Sequence, residues 1–470
     1  MKPPDRASAT PPSEADGLPV PQRYWSALAI WLAIAMSVLD AGIANVALPT
    51  IAAQLDASAA LSVWIINAYQ LAVTVLLLPL AAMGDRIGYR RVYLPGLAIF
   101  VVGSLGCALA ESLTGLIAAR VFQGIGAACV MSINAALVRA TYPSRTLGRG
   151  LGYNALVVSV ASAVGPTVAA LILSVGPWPW LFAINVPVGL LALAVAFHAL
   201  PRTEGHGRAP DYLSAILSAV TLGLIMFGAE TLAREGAGTG LPLLAAGFVC
   251  GTVLVRREWH RPTPLVPLDL LRIRVFSLSI ATSITSFAAQ MLAFVSLPFL
   301  FQSVLGRGVV ETGFLMTPWP LAVAFAAPIA GRLADRYSAG LLGGAGLAAL
   351  ALGLFSLSMM GDDPSTLDIA WRMVVCGLGF GFFQAPNNRA IVSSAPRARS
   401  GAAGGMLATA RLLGQTTGAV SVAAGFHWLG VGAAPTLLQA ASVAAAVAAV
   451  LSLLRHQRPS KPAPEAPVVD

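Results

Sequence analysis

Long apolar stretches restrict this chain to a small set of folds. Fourteen segments have about 20 apolar residues each, the length that a helix needs to cross a lipid bilayer. Inside lipid every backbone polar group must be paired within the protein, so only helices and closed barrels can cross. The stretches are continuous and do not alternate, which favours helices over barrel strands. The sequence therefore predicts an all-α integral membrane fold with fourteen transmembrane helices.

Charged residues are scarce, and their placement predicts the orientation of the chain. Only 10% of the 470 residues are charged, too few to cover a soluble globule of this size. Most of the 29 lysines and arginines fall in loops on one side of the predicted membrane, which places both termini in the cytoplasm. The net charge of +9 is therefore an orientation signal and not a nucleic-acid-binding face. The exceptions are Arg234 and Arg307 on the other side and Arg120, Arg372 and Arg411 within predicted helices.

Short motifs recur in the same order in the two parts of the chain. The repeated pairs are Asp85 and Asp335, Arg86 and Arg336, Arg120 and Arg372, Gly124 and Gly377, Gly126 and Gly379, and Asn134 and Asn387. Repeated halves around a central site are typical of transporters. We therefore predict two six-helix halves, a central insert of two helices with cytoplasmic linkers, and a disordered cytoplasmic tail at each end. The halves cover 25–200 and 275–455, the insert with its linkers covers 201–274, and the tails cover 1–24 and 456–470.

Asp40 lies midway along the first predicted helix, in the segment from Leu39 to Pro49. A charge at this depth costs several kcal/mol, so the side chain should face a cavity or carry a proton. Burial favours the protonated form of a carboxyl group. We therefore predict that Asp40 binds the proton that is exchanged for a substrate. The alternative is a structural acid whose hydrogen bonds hold helices together.

Arg120 is the second charge that the sequence places inside the membrane. It lies about one turn into its helix and precedes Gly124 and Gly126, which permit close helix packing. Its guanidinium stays protonated, so it must find a partner or reach water. We predict that it faces the cavity and tunes the proton site at Asp40. The alternative is a side chain that extends to the outer interface.

The loop between the second and third predicted helices is a candidate latch. A carboxylate at the membrane boundary can pair with arginines or cap a neighbouring helix. Such contacts would favour one conformer, which is what alternating access requires. Orientation alone would explain the arginines but not the repeated aspartates. The predicted latch comprises Gly84, Asp85, Arg86, Gly88, Arg90 and Arg91 with the repeat residues Asp335 and Arg336.

Gly152, Gly165 and Pro166 mark the fifth predicted helix. A Gly-Pro pair inside a helix removes a hydrogen bond and bends the helix. Small residues at helical spacing along the same helix give a smooth surface for close packing. We therefore predict that this helix shapes the seal on one side of the transporter.

Polar and aromatic residues within the predicted helices are candidates for lining a substrate cavity. Any one of them is more often a packing residue than a ligand contact. The candidates are Met36, Asn45, Trp64, Asn67, Tyr69, Gln70, Asn134, Asn154, Phe287, Gln290 and Phe294. The cysteines and histidines show no metal-ligand spacing, and the sequence has no phosphate-binding GxxxxGK[ST] loop. We therefore expect no metal site and no catalytic site.

These residues together resemble the major facilitator superfamily, and within it the family of 14-helix drug:proton antiporters. The segment from Leu39 to Pro49 is similar to that family's first-helix motif. The segment from Gly84 to Arg91 resembles the superfamily's helix 2–3 motif, although Ala81 stands where a glycine is usual. Arg120 with Gln123 and Gly124 resembles the fourth-helix motif. Residues 152–170 resemble the antiporter motif, with three of its glycines replaced by alanine. Residues 178–189 resemble the helix-six signature, with Pro179 where arginine is common.

The resemblance implies a major facilitator fold and export of small amphipathic, often cationic compounds in exchange for protons. It implies no cofactor, because the proton gradient across the cell inner membrane supplies the energy. The expected partners are substrate, protons and membrane lipid, with no nucleic acid; a periplasmic adaptor stays an open alternative. Two rival functions are a proton-coupled exporter of one metabolite and an integral-membrane lipid enzyme. The sequence shows no acid–base cluster that such an enzyme would need.

Overall fold

The computed structural model describes residues 17–203, 211–259, 269–334, 336–396 and 399–455, and within these ranges it contains helices and no strand. Predictions about 1–16, 204–210, 260–268, Asp335 and 456–470 lie outside the described residues. The helices of the first part are α1 (Gln22–Gln54), α2 (Ala59–Ser62), α3 (Trp64–Ile87), α4 (Tyr89–Ala108), α5 (Leu113–Thr141), α6 (Leu147–Val175), α7 (Trp180–Ala183) and α8 (Asn185–Ala199). Next come α9 (Tyr212–Glu235) and α10 (Ala237–Glu258). The remaining helices are α11 (Arg274–Phe299), α12 (Val309–Met316), α13 (Pro318–Leu333), α14 (Ala339–Ser358), α15 (Thr366–Ser394), α16 (Ser400–Leu429) and α17 (Ala434–Leu453).

The predicted count of fourteen transmembrane helices is not confirmed. Among the described residues, 12 helices are long and apolar enough to cross a membrane, counting α2 with α3, α7 with α8 and α12 with α13 as single spans. The helices outside this set are α9, whose apolar stretch is the shorter segment Leu213–Ala229, and α16. The 30 residues of α16 include the polar residues Arg411, Gln415 and His427.

The internal repeat reappears as repeated close packing between helices. A Cβ added to Gly126 on α5 would lie 2.3 Å from the Phe100 nitrogen and 2.6 Å from the Gly96 carbonyl oxygen of α4. A Cβ added to Gly379 on α15 would lie 2.5 Å from the Leu350 nitrogen and 2.6 Å from the Gly346 oxygen of α14. The same glycine therefore lets the same two backbones touch in each part of the chain.

The repeated glycines also fix which residues correspond between the two parts. With Gly126 matched to Gly379, the residue that corresponds to Arg120 is Met373, which is fully buried. The pairing of Arg120 with Arg372 is therefore wrong by one residue. Arg372 instead forms an ion pair with Asp368 on its own helix, at 3.0 Å. Of the two corresponding helices, α5 therefore has a buried arginine at this position and α15 has a methionine.

Substitution of Gly126 by alanine tests this packing. Because the new methyl group would meet backbone atoms, which cannot rotate away, we expect Gly126→Ala to lower the free energy of unfolding by about 1–3 kcal/mol. Thermal unfolding of the purified protein in detergent measures the loss. The matched control is Gly152→Ala on α6, where a Cβ meets no atom within 4 Å. An equal melting temperature for the two variants would contradict the packing argument.

The helices α9 and α10 pack against each other as a hairpin that is tied at one end by polar side chains. The Ser214 hydroxyl donates to the Glu258 carboxylate at 2.5 Å, and Arg257 donates to the Asp211 carboxylate at 3.0 Å. Burial raises the pKa of Asp211, but hydrogen bonds from Ser214 and Arg257 outweigh it and lower the pKa to about 2. Asp211 therefore stays charged and holds the base of the hairpin. The division of the chain into two halves and this insert stays a prediction.

One apolar core joins the first and last parts of the chain. It contains Ile43, Leu48 and Ile51 from the C-terminal half of α1 together with Phe287 and Phe299 of α11, all buried. A second core lies within the first part, around Tyr93, Phe100 and Leu137 on α4 and α5, and includes Leu412 of α16. Through this shared core the two parts of the chain pack closely against each other at the end of the bundle where α1 ends.

Candidate functional site

Asp40 of α1 and Arg120 of α5 form an ion pair in the interior of the protein. The Arg120 guanidinium donates from Nη1 to the Asp40 Oδ2 atom, and from Nε to the Ile65 carbonyl oxygen at 2.9 Å. Both side chains are essentially inaccessible, at 1% for Asp40 and 0% for Arg120. Removing either partner would leave an uncompensated charge in an apolar interior, which costs about 3–5 kcal/mol.

Amide side chains complete the coordination of the Asp40 carboxylate. Its Oδ1 atom accepts from Gln123 Nε2 at 2.9 Å and from Asn185 Nδ2 at 2.8 Å. Gln123 also donates to the Ser104 hydroxyl at 2.8 Å and accepts from Arg120 at 2.6 Å. The carboxylate thereby links α1, α4, α5 and α8, so a change in its charge alters contacts among four helices at once.

Small residues place this network. A Cβ on Gly103 of α4 would lie 2.6 Å from the Gln123 Cα atom, so the glycine lets α5 approach and brings Gln123 beside Ser104. A Cβ on Gly124 would lie 2.8 Å from the Tyr69 carbonyl oxygen of α3. This approach puts the Tyr69 ring under Arg120, with the guanidinium carbon 4.3 Å from the ring centroid. The ring face stabilises the cation, while the buried Arg120 Nη2 atom has no hydrogen-bond partner among the described residues.

The loop at Gly84–Arg91 contacts the segment that follows α8. The amide of Tyr89 donates to the Thr203 hydroxyl at 2.8 Å, and Arg90 donates to the carbonyl oxygens of Phe197 and Leu200. Gly88 has a φ of 96°, and a Cβ there would lie 2.2 Å from the Thr203 oxygen, so only glycine fits.

Asp85 accepts a hydrogen bond from the Tyr89 hydroxyl at 2.8 Å. The sequence suggested arginine partners or a helix cap for this carboxylate, whereas Arg90 donates to carbonyl oxygens and Arg91 donates to the Ile87 oxygen at 3.3 Å. Arg336 is exposed, and its partner in the repeat, Asp335, lies outside the described residues. The latch function of these residues stays a prediction.

Hydrogen bonds join the two parts of the chain near the C-terminal end of α1 and about two turns into α3. The Thr50 hydroxyl donates to Gln302 at 3.1 Å, and the Thr167 and Thr317 hydroxyls lie 2.8 Å apart. The Gln70 amide on α3 donates to Gln415 on α16 at 2.6 Å. These contacts close the interior from that end of the bundle.

Comparisons with known proteins agree with this architecture. The sequence model of the Major Facilitator Superfamily matches residues 30–419. The chain belongs to the major facilitator superfamily. It is therefore a transporter and not an enzyme, and a multi-pass membrane protein. A crystal structure of a POT family transporter in complex with a thioalcohol-conjugated peptide has a TM-score of 0.71 at 14% identity, covering 91% of this chain and 95% of that one.

Three curated relatives of this superfamily member differ in what their names say. The uncharacterized transporter YebQ of Escherichia coli K12 is 52% identical, over 93% of this chain and 96% of its own length. The riboflavin transporter RibZ of Clostridioides difficile is 29% identical, over 83% of this chain and 86% of its own. The multidrug resistance protein Stp of Mycobacterium tuberculosis H37Rv is 30% identical, over 83% of this chain and 73% of its own. Two of the names say transporter and the third says multidrug resistance, and the three names share no substrate.

The structure brings some of the predicted cavity residues of this transporter together. Asn134 donates to Asn154 at 3.0 Å, which joins α5 to α6. Tyr69 and Gln70 lie beside the ion pair and at the contact with α16, respectively. Phe287 packs edge to face on Phe380, with centroids 5.4 Å apart.

Other predicted cavity residues are dispersed. Trp64 packs against Phe227 of α9, with ring centroids 6.1 Å apart, and so faces the insert. Phe294 packs on Trp319 at 4.9 Å, and Met36 is buried in the core of the first part. Gln290 is half-buried on α11.

Three predicted residues are buried with amide atoms that lack partners among the described residues. These are Asn67, both of whose side-chain polar atoms are unpaired, and Asn45 and Asn134, whose Oδ1 atoms are unpaired. A buried amide atom without a partner is costly, which makes the three residues candidates for contacting a ligand or water.

On α6, Gly165 and Pro166 lie at contacts and Gly152 does not. The Cβ position of Gly165 is 3.7 Å from the Gly42 Cα atom of α1. The Pro166 carbonyl oxygen is 2.7 Å from the Cβ position of Gly313 on α12. These approaches place the Gly-Pro segment between α1 and the second part of the chain.

The sequence prediction missed Ser104 and Asn185 as partners of the ion pair, and Gln415 as the partner of Gln70. Single amides and hydroxyls in apolar helices are common, so nothing in their local sequence marks these residues. Arg411 was noted only as a charge within a helix. Its depth was a signal, since intramembrane arginines face protein or water.

Proposed function

We propose that the chain is a proton-coupled multidrug efflux antiporter that exports small amphipathic compounds by alternating access. The observation that carries this proposal is the buried ion pair between Asp40 and Arg120. Protonation of Asp40 would remove one charge of the pair and free Arg120, which favours a conformer in which the guanidinium has other partners. The names of relatives such as Stp support drugs as substrates.

The energy source in this proposal is the proton gradient, which supplies about 2.3 kcal/mol per charge and 100 mV. No cofactor is needed. The excess of basic residues in alternate loops supports an inner-membrane location with both termini in the cytoplasm. With that orientation, the contacts of Thr50 and Thr167 with the second part would close the periplasmic side.

The second candidate is a proton-coupled exporter of one metabolite. The name of RibZ, a riboflavin transporter, favours it, since this relative matches most of the chain. Both candidates share the fold and the proton site, and they differ in the range of compounds that are moved.

Everted membrane vesicles with a quenched pH-sensitive dye test the proposal. Addition of a substrate should release protons from the vesicle interior and restore fluorescence. A panel of dyes, antiseptics and riboflavin separates the candidates: several unrelated compounds should restore fluorescence for a multidrug antiporter, and one for a metabolite exporter. Vesicles that take up compounds without any proton release would contradict proton coupling.

A further inference from the structure

Arg411 on α16 is a cation without a counter-charge among the described residues. It lies 11 residues from the start of its helix, which is about 17 Å along the helix axis. Its guanidinium carbon lies 5.5 Å from the centroid of the Phe287 ring. Among the described residues it makes no hydrogen bond or ion pair, although a guanidinium has five donors.

Arg411 faces the other part of the chain and not lipid. Ala408, one turn before it, packs against the core of the first part, and Leu412 belongs to that core. Gln415, one turn after it, bonds to Gln70 of α3 at 2.6 Å. The face of α16 that contains Arg411 therefore lies at the contact between the two parts.

Open space adjoins α16 near its N-terminus. A Cβ at Gly404, two turns before Arg411, meets no atom of the described residues within 4 Å, and the same holds for Gly405. The contact of Gln415 with Gln70 closes the face beyond Arg411. Arg411 is half-buried, so part of its side chain is accessible on the side of Gly404, and we infer that the space at Gly404 and Gly405 is an opening that reaches Arg411.

The acidic residue at comparable depth in the first part does not balance this charge. Asp40 is buried with Arg120, Gln123 and Asn185 as its partners, so its negative charge is already neutralised. A cationic compound that entered the opening would therefore meet an unbalanced positive charge. A compound with an acidic group would supply the missing partner in a region of low dielectric constant, where such pairs are strong.

We propose that this opening binds amphipathic organic anions, with Arg411 as the residue that contacts the carboxylate, sulfonate or phosphate of the substrate. This inference rests on the proposed transport function and names the charge of its substrate. The apolar portion of such a compound would lie against Phe287, beside the guanidinium. Arg411 is then a specificity residue, and Asp40 and Arg120 remain the proton site.

Charged thiol reagents measure the potential in the opening without knowledge of the substrate. A cysteine at Gly404 has room for modification, and the native cysteines are buried or half-buried, so the unsubstituted chain gives the blank rate. We expect Gly404→Cys to favour the sulfonate methanethiosulfonate reagent over the trimethylammonium one by about fivefold relative to a free thiol, as one charge about 10 Å away predicts. Arg411→Gln in this background should abolish the preference, and Arg411→Lys should retain it. A preference of Gly404→Cys for the cationic reagent would overturn the proposal. So would a preference for the sulfonate reagent that is unchanged when Arg411→Gln is added.

Two xanthene dyes of opposite charge then test the substrate class in everted vesicles. We expect uptake of anionic fluorescein, its loss in Arg411→Gln and its recovery in Arg411→Lys. Uptake of cationic rhodamine 6G alone by the unsubstituted chain would overturn the proposal. Uptake of neither dye counts against broad drug export, while the reagent ratio still decides the charge of the opening.

Discussion

Substitution of Asp40 by asparagine is expected to reduce proton release to the background of vesicles that lack the protein. Asparagine keeps the size of the side chain and can still accept from Gln123, but it cannot bind or release a proton. It also leaves Arg120 as an uncompensated buried cation, which costs about 3–5 kcal/mol. Substrate-dependent recovery of dye fluorescence in everted vesicles measures the effect. Full activity of Asp40→Asn would rule out this residue as the proton carrier.

A charge-neutral pair of substitutions separates coupling from stability. In Asp40→Asn with Arg120→Gln neither charge remains, so the penalty of an unpaired cation disappears and the fold should recover. If Asp40 carries the proton, the double variant folds but stays uncoupled; if the pair is only structural, activity returns with the fold. Asp362→Asn, at an exposed acid outside the helices, is the matched control and should be fully active.

The sequence predicted the helical membrane fold because about 20 continuous apolar residues allow few alternatives in lipid. It also singled out Asp40 and Arg120, since charge inside an apolar helix is rare and costly. It did not predict that these two side chains pair directly, because partners that are 80 positions apart meet only through helix packing. Gly103, which admits Gln123 to the network, was likewise not recognised, because 46 glycines in one chain give no sign of which one lies at a contact.

The number of membrane helices shows a different limit. The α16 helix was predicted to span the membrane because its apolar residues are numerous, yet it carries Arg411, Gln415 and His427 and is not among the 12 apolar spans found in the described residues. A helix that lines the contact between two parts of a transporter can be less apolar than one that faces lipid, because protein and water solvate its polar residues. The polar residues of α16 include Arg411, the candidate specificity residue.

A cross-link between α6 and the junction of α12 and α13 is expected to arrest transport. The Thr167 and Thr317 hydroxyls lie 2.8 Å apart, so cysteines at both positions should form a disulfide under mild oxidation. Alternating access requires this contact to open in each cycle. We therefore expect uptake into everted vesicles to fall to background on oxidation and to return with a reducing agent.

Each single cysteine variant is the control, since it changes the same side chain but cannot form the cross-link. Oxidation should leave Thr167→Cys and Thr317→Cys unaffected, provided that the native Cys107, Cys129 and Cys376, which are buried, do not react. Unchanged uptake by a fully cross-linked double variant would show that this contact stays closed during transport. The halves would then have to separate elsewhere, and the contacts of Thr50 with Gln302 and of Gln70 with Gln415 would be the next ones to test by the same method.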